Sequence, residues 1–113
     1  QHKEHIWQAL DTVRLSHLAK QPVSMLSGGQ FQRMLFARLL VQQAPLVLLD
    51  EPFTGIDRET CELLIRVMER MHRNGQTLIV VLHDNALVKA CFPETLLLHN
   101  HHYQWGSTLD LIA

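Results

Sequence analysis

An α/β fold with a largely parallel sheet is the architecture this sequence predicts. Two short apolar runs, Leu46–Leu49 and Thr77–Leu82, each end abruptly at a polar residue, and a long amphipathic segment separates them. A run without a polar face reads as a strand covered on both sides, as in a parallel sheet. Strand, crossover helix, strand, helix is the rhythm of such a sheet.

Taken in order, 2–15 reads as a helix, with Ile6, Leu10 and Val13 at three- and four-residue spacing. Gln21-Pro22 interrupts it. Ser27 then precedes Gly28-Gly29 and a helical stretch to about Gln43, with Phe31, Leu35, Leu39 and Leu40 on its apolar side and Pro45 ending it. After the first strand, Asp57 is the N-cap of a helix over 58–73, whose stripe is Cys61, Leu64, Ile65, Met68 and Met71, and Gly75 terminates it. Asp84 caps a short helix to Cys91. The runs 95–98 and 103–105 form a hairpin, and Ser107 caps a last short helix.

Composition narrows the function. Of 113 residues, 47% are hydrophobic, enough for a buried core, and the formal net charge of -1 comes without a basic stripe. No nucleic-acid partner is therefore expected. Cys61 and Cys91 are too few for a disulfide framework and fit a reducing setting. No apolar run reaches the roughly 20 residues that span a bilayer, and no signal peptide is recognisable at the start.

Ligands of open α/β sheets bind at the carboxyl ends of the strands. Asp50 and His83 both follow apolar runs and are expected at that edge. Asp50-Glu51-Pro52 has two readings. It is a solvated turn, or Asp50 holds Mg²⁺ and Glu51 polarises a water aimed at a phosphate. Leu26-Ser27-Gly28-Gly29-Gln30 likewise reads as an ordinary capped loop, or as an anion site in which two glycines let a ligand approach free amides at a helix N-terminus. His99, His101 and His102, with Asn100, read as a solvated turn or as a transition-metal site. Trp7 and Trp105 are expected to pack rather than to bind.

The pentapeptide LSGGQ resembles the signature motif of ABC ATPases, and the LLDEP that follows resembles their Walker B motif with its catalytic glutamate. Thr54-Gly55-Ile56-Asp57 resembles their D-loop, and His83 their switch histidine. The resemblance implies a P-loop NTPase-like ABC ATPase domain that is incomplete. Residues 1–43 would be the end of the helical subdomain, and 44–113 the Walker B, D-loop and switch-histidine part of the core with its C-terminal hairpin. The family's phosphate-binding loop, G-x-x-x-x-G-K-S/T, is not found: the lysines are Lys3, Lys20 and Lys89, and none follows a glycine.

The resemblance further implies ATP and Mg²⁺, and a second ATPase subunit paired head to tail so that Ser27, Gly28, Gly29 and Gln30 touch nucleotide held by the partner. It implies Asp50 at Mg²⁺, Glu51 at the attacking water, His83 at the γ-phosphate and Asp57 coupling the two sites. A transmembrane permease subunit is the other implied partner, with the ATPase peripheral on the cytoplasmic face. The run DEPFTGID at 50–57 and the YQWG ending at 103–106 resemble importers of zinc, manganese or chelated iron. Two other readings stand beside this one: an ABC-type ATPase of DNA repair or translation, and a non-catalytic interaction fragment.

Overall fold

The computed structural model describes residues 2–99 and 101–112, which form two compact units, 1–80 and 81–113. The first unit opens with α1 (His2–Thr12). This helix stops short of the expected Leu15, because Arg14 turns left-handed at φ 61° and Leu15 donates its amide back to the Leu10 carbonyl. Ala9, Val13 and Leu15 are the buried positions, whereas Ile6 and Trp7 are exposed. The expectation of a packed Trp7 is thereby corrected. Two single-turn 3-10 helices, Ser16–Leu18 and Val23–Met25, follow around Pro22.

α2 (Gly28–Gln42) begins with a full capping box. Ser27 Oγ accepts from the Gln30 amide, and Gln30 Oε1 accepts from the Ser27 amide. It ends at Gln43, in the left-handed region at φ 51°. Its buried residues are Phe36 and Ala37, while the Phe31 expected on the apolar side is exposed. The helix packs against α1 and α3.

β1 (Leu46–Asp50), α3 (Arg58–Arg73) and β2 (Thr77–Val81) form a strand–helix–strand unit. β1 and β2 are neighbours in a two-stranded sheet. The Thr77 amide donates to the Pro45 carbonyl at 2.8 Å, and Gln76 Nε2 donates to the Ala44 carbonyl at 2.8 Å. The beginnings of both strands are thus tied together, which makes the pair parallel, as a helical crossover requires. The expected two-sided burial is not realised. Val47 is buried, but Leu46 and Leu48 are 58% and 70% exposed, and Ile79 is also exposed. With two described strands in this sheet, one face of the apolar run has no cover among the described residues.

Asp57 caps α3 by accepting from the Thr60 amide, and Gly75, at φ 94°, follows its end. The buried stripe of α3 is Thr60, Leu63, Leu64, Val67, Met68 and Met71. The expected stripe was rotated from this by part of a turn: Cys61 and Ile65 are only half-buried, while Leu63 and Val67 face the core. Burial of such side chains contributes about 1.5–3 kcal/mol each, so α3 is the main anchor of this unit.

The second unit holds α4 (Asn85–Cys91), capped by Asp84, then β3 (Glu94–His99), β4 (His102–Ser107) and α5 (Thr108–Leu111). β3 and β4 pair antiparallel, with Leu96 opposite Trp105 and Leu98 opposite Tyr103. These four are exposed, Trp105 at 68%, so it is not the packing residue expected. α5 closes the other end of the unit. Thr108 is buried, its hydroxyl lies 2.6 Å from that of Thr95, and its amide donates to the Pro93 carbonyl. Ser107 occupies the N-cap position without a side-chain cap bond.

Candidate functional site

In the first unit, the signature segment and the acidic turn after β1 are brought together by α2. The capping box uses the Ser27 hydroxyl and the Gln30 amide internally. The amides of Gly28 and Gly29, in the first turn, have no acceptor within the helix. A side-chain carbon placed on Gly28 would meet nothing within 4 Å, so this end of the helix is open to a ligand. At Gly29 the same carbon would lie 3.5 Å from Thr60 Oγ1, an ordinary van der Waals contact, so that residue faces α3. Two open amides at the positive end of a 15-residue helix suit an anionic oxygen.

The next turn of α2 reaches the loop between β1 and α3 at one point and the first turn of α3 at another. Gln32 Nε2 donates to the Pro52 carbonyl at 2.6 Å, and Arg33 Nη2 donates to Thr60 Oγ1 at 2.7 Å. Asp50 is exposed at the last position of β1. Glu51 is half-buried and left-handed, with φ 48°, and its carbonyl accepts from the Thr54 amide to close a turn. A non-glycine residue in this region costs on the order of 1–3 kcal/mol and persists where its surroundings over-determine it. Gly55, at φ 75°, makes the second left-handed step of the loop.

Asp57 is exposed and caps α3. The hydrogen bonds it receives from Thr60, helped by the charge of Arg33, hold its carboxyl below the usual carboxylate value. His83 belongs to the second unit, where it is exposed and stands beside the α4 cap Asp84. Among the described residues, no group of three His, Cys, Asp or Glu could hold a metal ion. An ion at Asp50 would therefore complete its shell with water and phosphate oxygens, which is the habit of Mg²⁺ and fits an exposed strand-end carboxylate. Of the histidine cluster, Asn100 and the side chain of His99 lie outside the described residues, and His101 and His102 are exposed.

Sequence reasoning singled out Ser27, Gly28, Gly29, Gln30, Asp50, Glu51, Asp57 and His83. It did not give a role to Gln32, Arg33 or Thr60. The signal available was the Gln32-Arg33 pair one residue after the signature, two polar residues in a helix turn that must pack.

The sequence model of the ABC transporter family matches residues 1–54. The manganese transport system ATP-binding protein MntB of Listeria innocua is 39% identical over 97 residues, covering 86% of this chain and 40% of that protein. The zinc transport system ATP-binding protein TroB of Treponema pallidum is 39% identical over 92 residues, covering 81% of this chain and 35% of that protein. Among solved structures, an inward-facing conformation of a metal-chelate type ABC transporter superposes with TM-score 0.86 at 32% identity, covering 96% of this chain and 44% of that one. An ATP-binding cassette in its ADP conformation superposes with TM-score 0.80 at 21% identity, which supports the fold. The chain spans about 40% of the length of the curated relatives it matches. Family model, relatives and fold agree: the chain belongs to the ABC transporter family and matches part of the length of its ATP-binding subunits.

Proposed function

We propose that this chain is part of an ATP-hydrolysing subunit that powers a membrane permease for a transition-metal ion. The observation that carries the reading is the open, capped N-terminus of α2, packed in one unit with the carboxylate turn Asp50-Glu51. The metal cargo follows from the relatives, whose names are manganese and zinc transport systems. A non-transport ATPase finds no support among them.

In this reading Gly28 and Gly29 present open amides, and Ser27 and Gln30 the capped positive end of the helix, to the phosphates of an ATP held by a second, head-to-tail subunit. Asp50 holds Mg²⁺, which supplies charge neutralisation on the phosphates. Glu51 accepts the proton of the attacking water, His83 donates toward the γ-phosphate, and Asp57 links the two sites. Residues 1–43 serve as the end of the helical subdomain and 44–113 as part of the catalytic core. No helix among the described residues is long and apolar enough to cross a membrane. In this reading a separate permease spans the membrane, and the subunit sits against its cytoplasmic face. Without a phosphate-binding loop in its sequence, the 113-residue chain by itself is expected to hydrolyse no ATP.

The test is Glu51→Gln in the protein that carries this chain. Nucleotide binding should persist while hydrolysis slows by about 10²–10⁴-fold, the scale of a lost general base. Near-normal turnover would remove Glu51 from the role. Uptake of manganese or zinc dependent on the intact protein tests the cargo.

A further inference from the structure

The loop that joins β1 to α3 carries Glu51 at one end and Asp57 at the other. It is held near both ends by adjacent residues of α2. Gln32 bonds the carbonyl of Pro52, the residue after Glu51, at 2.6 Å. Arg33 bonds the hydroxyl of Thr60, whose amide in turn donates to Asp57 Oδ1 at 3.2 Å. Consecutive helical residues point about 100° apart, so the two bonds diverge and oppose rotation of the loop as well as translation. Both acceptor residues, Pro52 and Thr60, are buried, and such bonds are shielded from competing water.

The arrangement has costs that packing alone would not select. Arg33 Nε is shut off from water with no acceptor among the described residues. Thr60 places a hydroxyl in the apolar face of α3, on the side that faces Gly29. Glu51 is held left-handed by its surroundings.

We infer that Gln32 and Arg33 form a two-point strap that makes the signature turn Ser27–Gln30 and the loop Glu51–Asp57 one rigid body, with Gln32, Arg33 and Thr60 acting as positioning residues. The inference rests on the functional reading above for what the loop positions. It requires only the strap bonds for the rigidity. Gln32 sets the backbone that aims Glu51, and Arg33 through Thr60 sets the cap at Asp57. A displacement of the helix N-terminus by a bound anion is then transmitted to the carboxylate turn through two hydrogen bonds, with no rearrangement of β1.

The experiment uses the protein that carries this chain and the variants Gln32→Met, Thr60→Val and Thr60→Ser. Amide hydrogen exchange is read at 53–57 and, as an internal control, at Leu63–Met68 of α3. Gln32→Met and Thr60→Val should speed exchange at 53–57 by about five- to thirtyfold, the factor corresponding to one or two kcal/mol, and leave Leu63–Met68 unchanged. Thr60→Ser, which keeps the hydroxyl, should restore the slow rate. Uniform acceleration over both segments, or no change at 53–57, would overturn the strap. ATP hydrolysis is read in parallel. A fall in kcat at unchanged KM in Gln32→Met supports positioning of Glu51, and a parallel loss of kcat and melting temperature counts against it. If the unaltered protein hydrolyses no ATP, the functional reading fails, and the exchange data still decide the strap.

Discussion

Glycine should stabilise this protein at one position where a glutamate stands. Glu51 has φ 48°, a conformation that a residue with a Cβ occupies at a cost on the order of 1–3 kcal/mol. Glycine occupies it freely, but as the more flexible residue it loses about 0.4–1 kcal/mol through the unfolded chain. Comparing Glu51→Gly with Glu51→Ala removes the carboxylate in both variants, so their difference reports the backbone alone. The net is about 0.5–2 kcal/mol in favour of glycine. At Glu62, on the helix α3, the same pair should give the opposite sign, with alanine better by about 0.5–1 kcal/mol. In a unit of this size 1 kcal/mol moves the melting temperature by about 4–8 °C, which differential scanning calorimetry resolves. Equal stability of the glycine and alanine variants at position 51, or alanine ahead, would refute the argument that the acidic turn stores strain. Both variants should lack ATPase activity, so stability and function would move in opposite directions at this residue.

Other outcomes follow from the caps and the exposed sheet. Ser27→Ala should cost about 0.5–2 kcal/mol of stability and speed exchange of the Gln30 amide first, checked by denaturant unfolding and by NMR. Asp57 has its carboxyl held below the usual value of 3.8 by Thr60. Its stabilising effect is therefore complete above that pH and is lost as pH falls through the lowered value. Asp57→Asn, which does not titrate, should show a shallower acid unfolding curve than the unaltered protein below pH 3.8, and parallel curves would contradict the assignment. The 113-residue chain by itself should self-associate through the face that exposes Leu46, Leu48 and Ile79, and a monodisperse 13.0 kDa species by light scattering would count against this.

What was legible in the sequence was local. The bounds of α3 were readable from Asp57 and Gly75, because a cap and a left-handed glycine act on the backbone at their own positions. The capping role of Ser27 and the hairpin were readable for the same reason. Which side of a helix is buried depends on what lies against it. Periodicity centred the α3 stripe on Cys61 and Ile65 as readily as on Leu63 and Val67, and nothing local marked Thr60 as buried, since the partner of its hydroxyl, Arg33, comes from another helix. Two-sided burial of Leu46–Leu49 was inferred from the absence of polar residues, a signal that reports what a strand tolerates rather than what covers it. In the candidate site the acidic pair and the glycines were visible, whereas the left-handed turn at Glu51 and the bonds of Gln32 and Arg33 are tertiary facts.

The tie between the starts of β1 and β2 has a bearing on how the protein can be altered in length. Gln76 and Thr77 are bonded to Ala44 and Pro45, directly after the end of α3 at Asn74-Gly75. One residue added at 74–76 must either break that pair of bonds or slide β2 by a single position. Such a slip exchanges the two faces of the strand, sending Leu78 and Val80 outward and turning Thr77, Ile79 and Val81 inward. The stretch 19–24 carries no such constraint: it is exposed and shaped by single turns around Pro22. An epitope or a fluorophore handle should be accepted there and rejected a few residues before β2, so the chain offers one permissive joint and one that must keep its count.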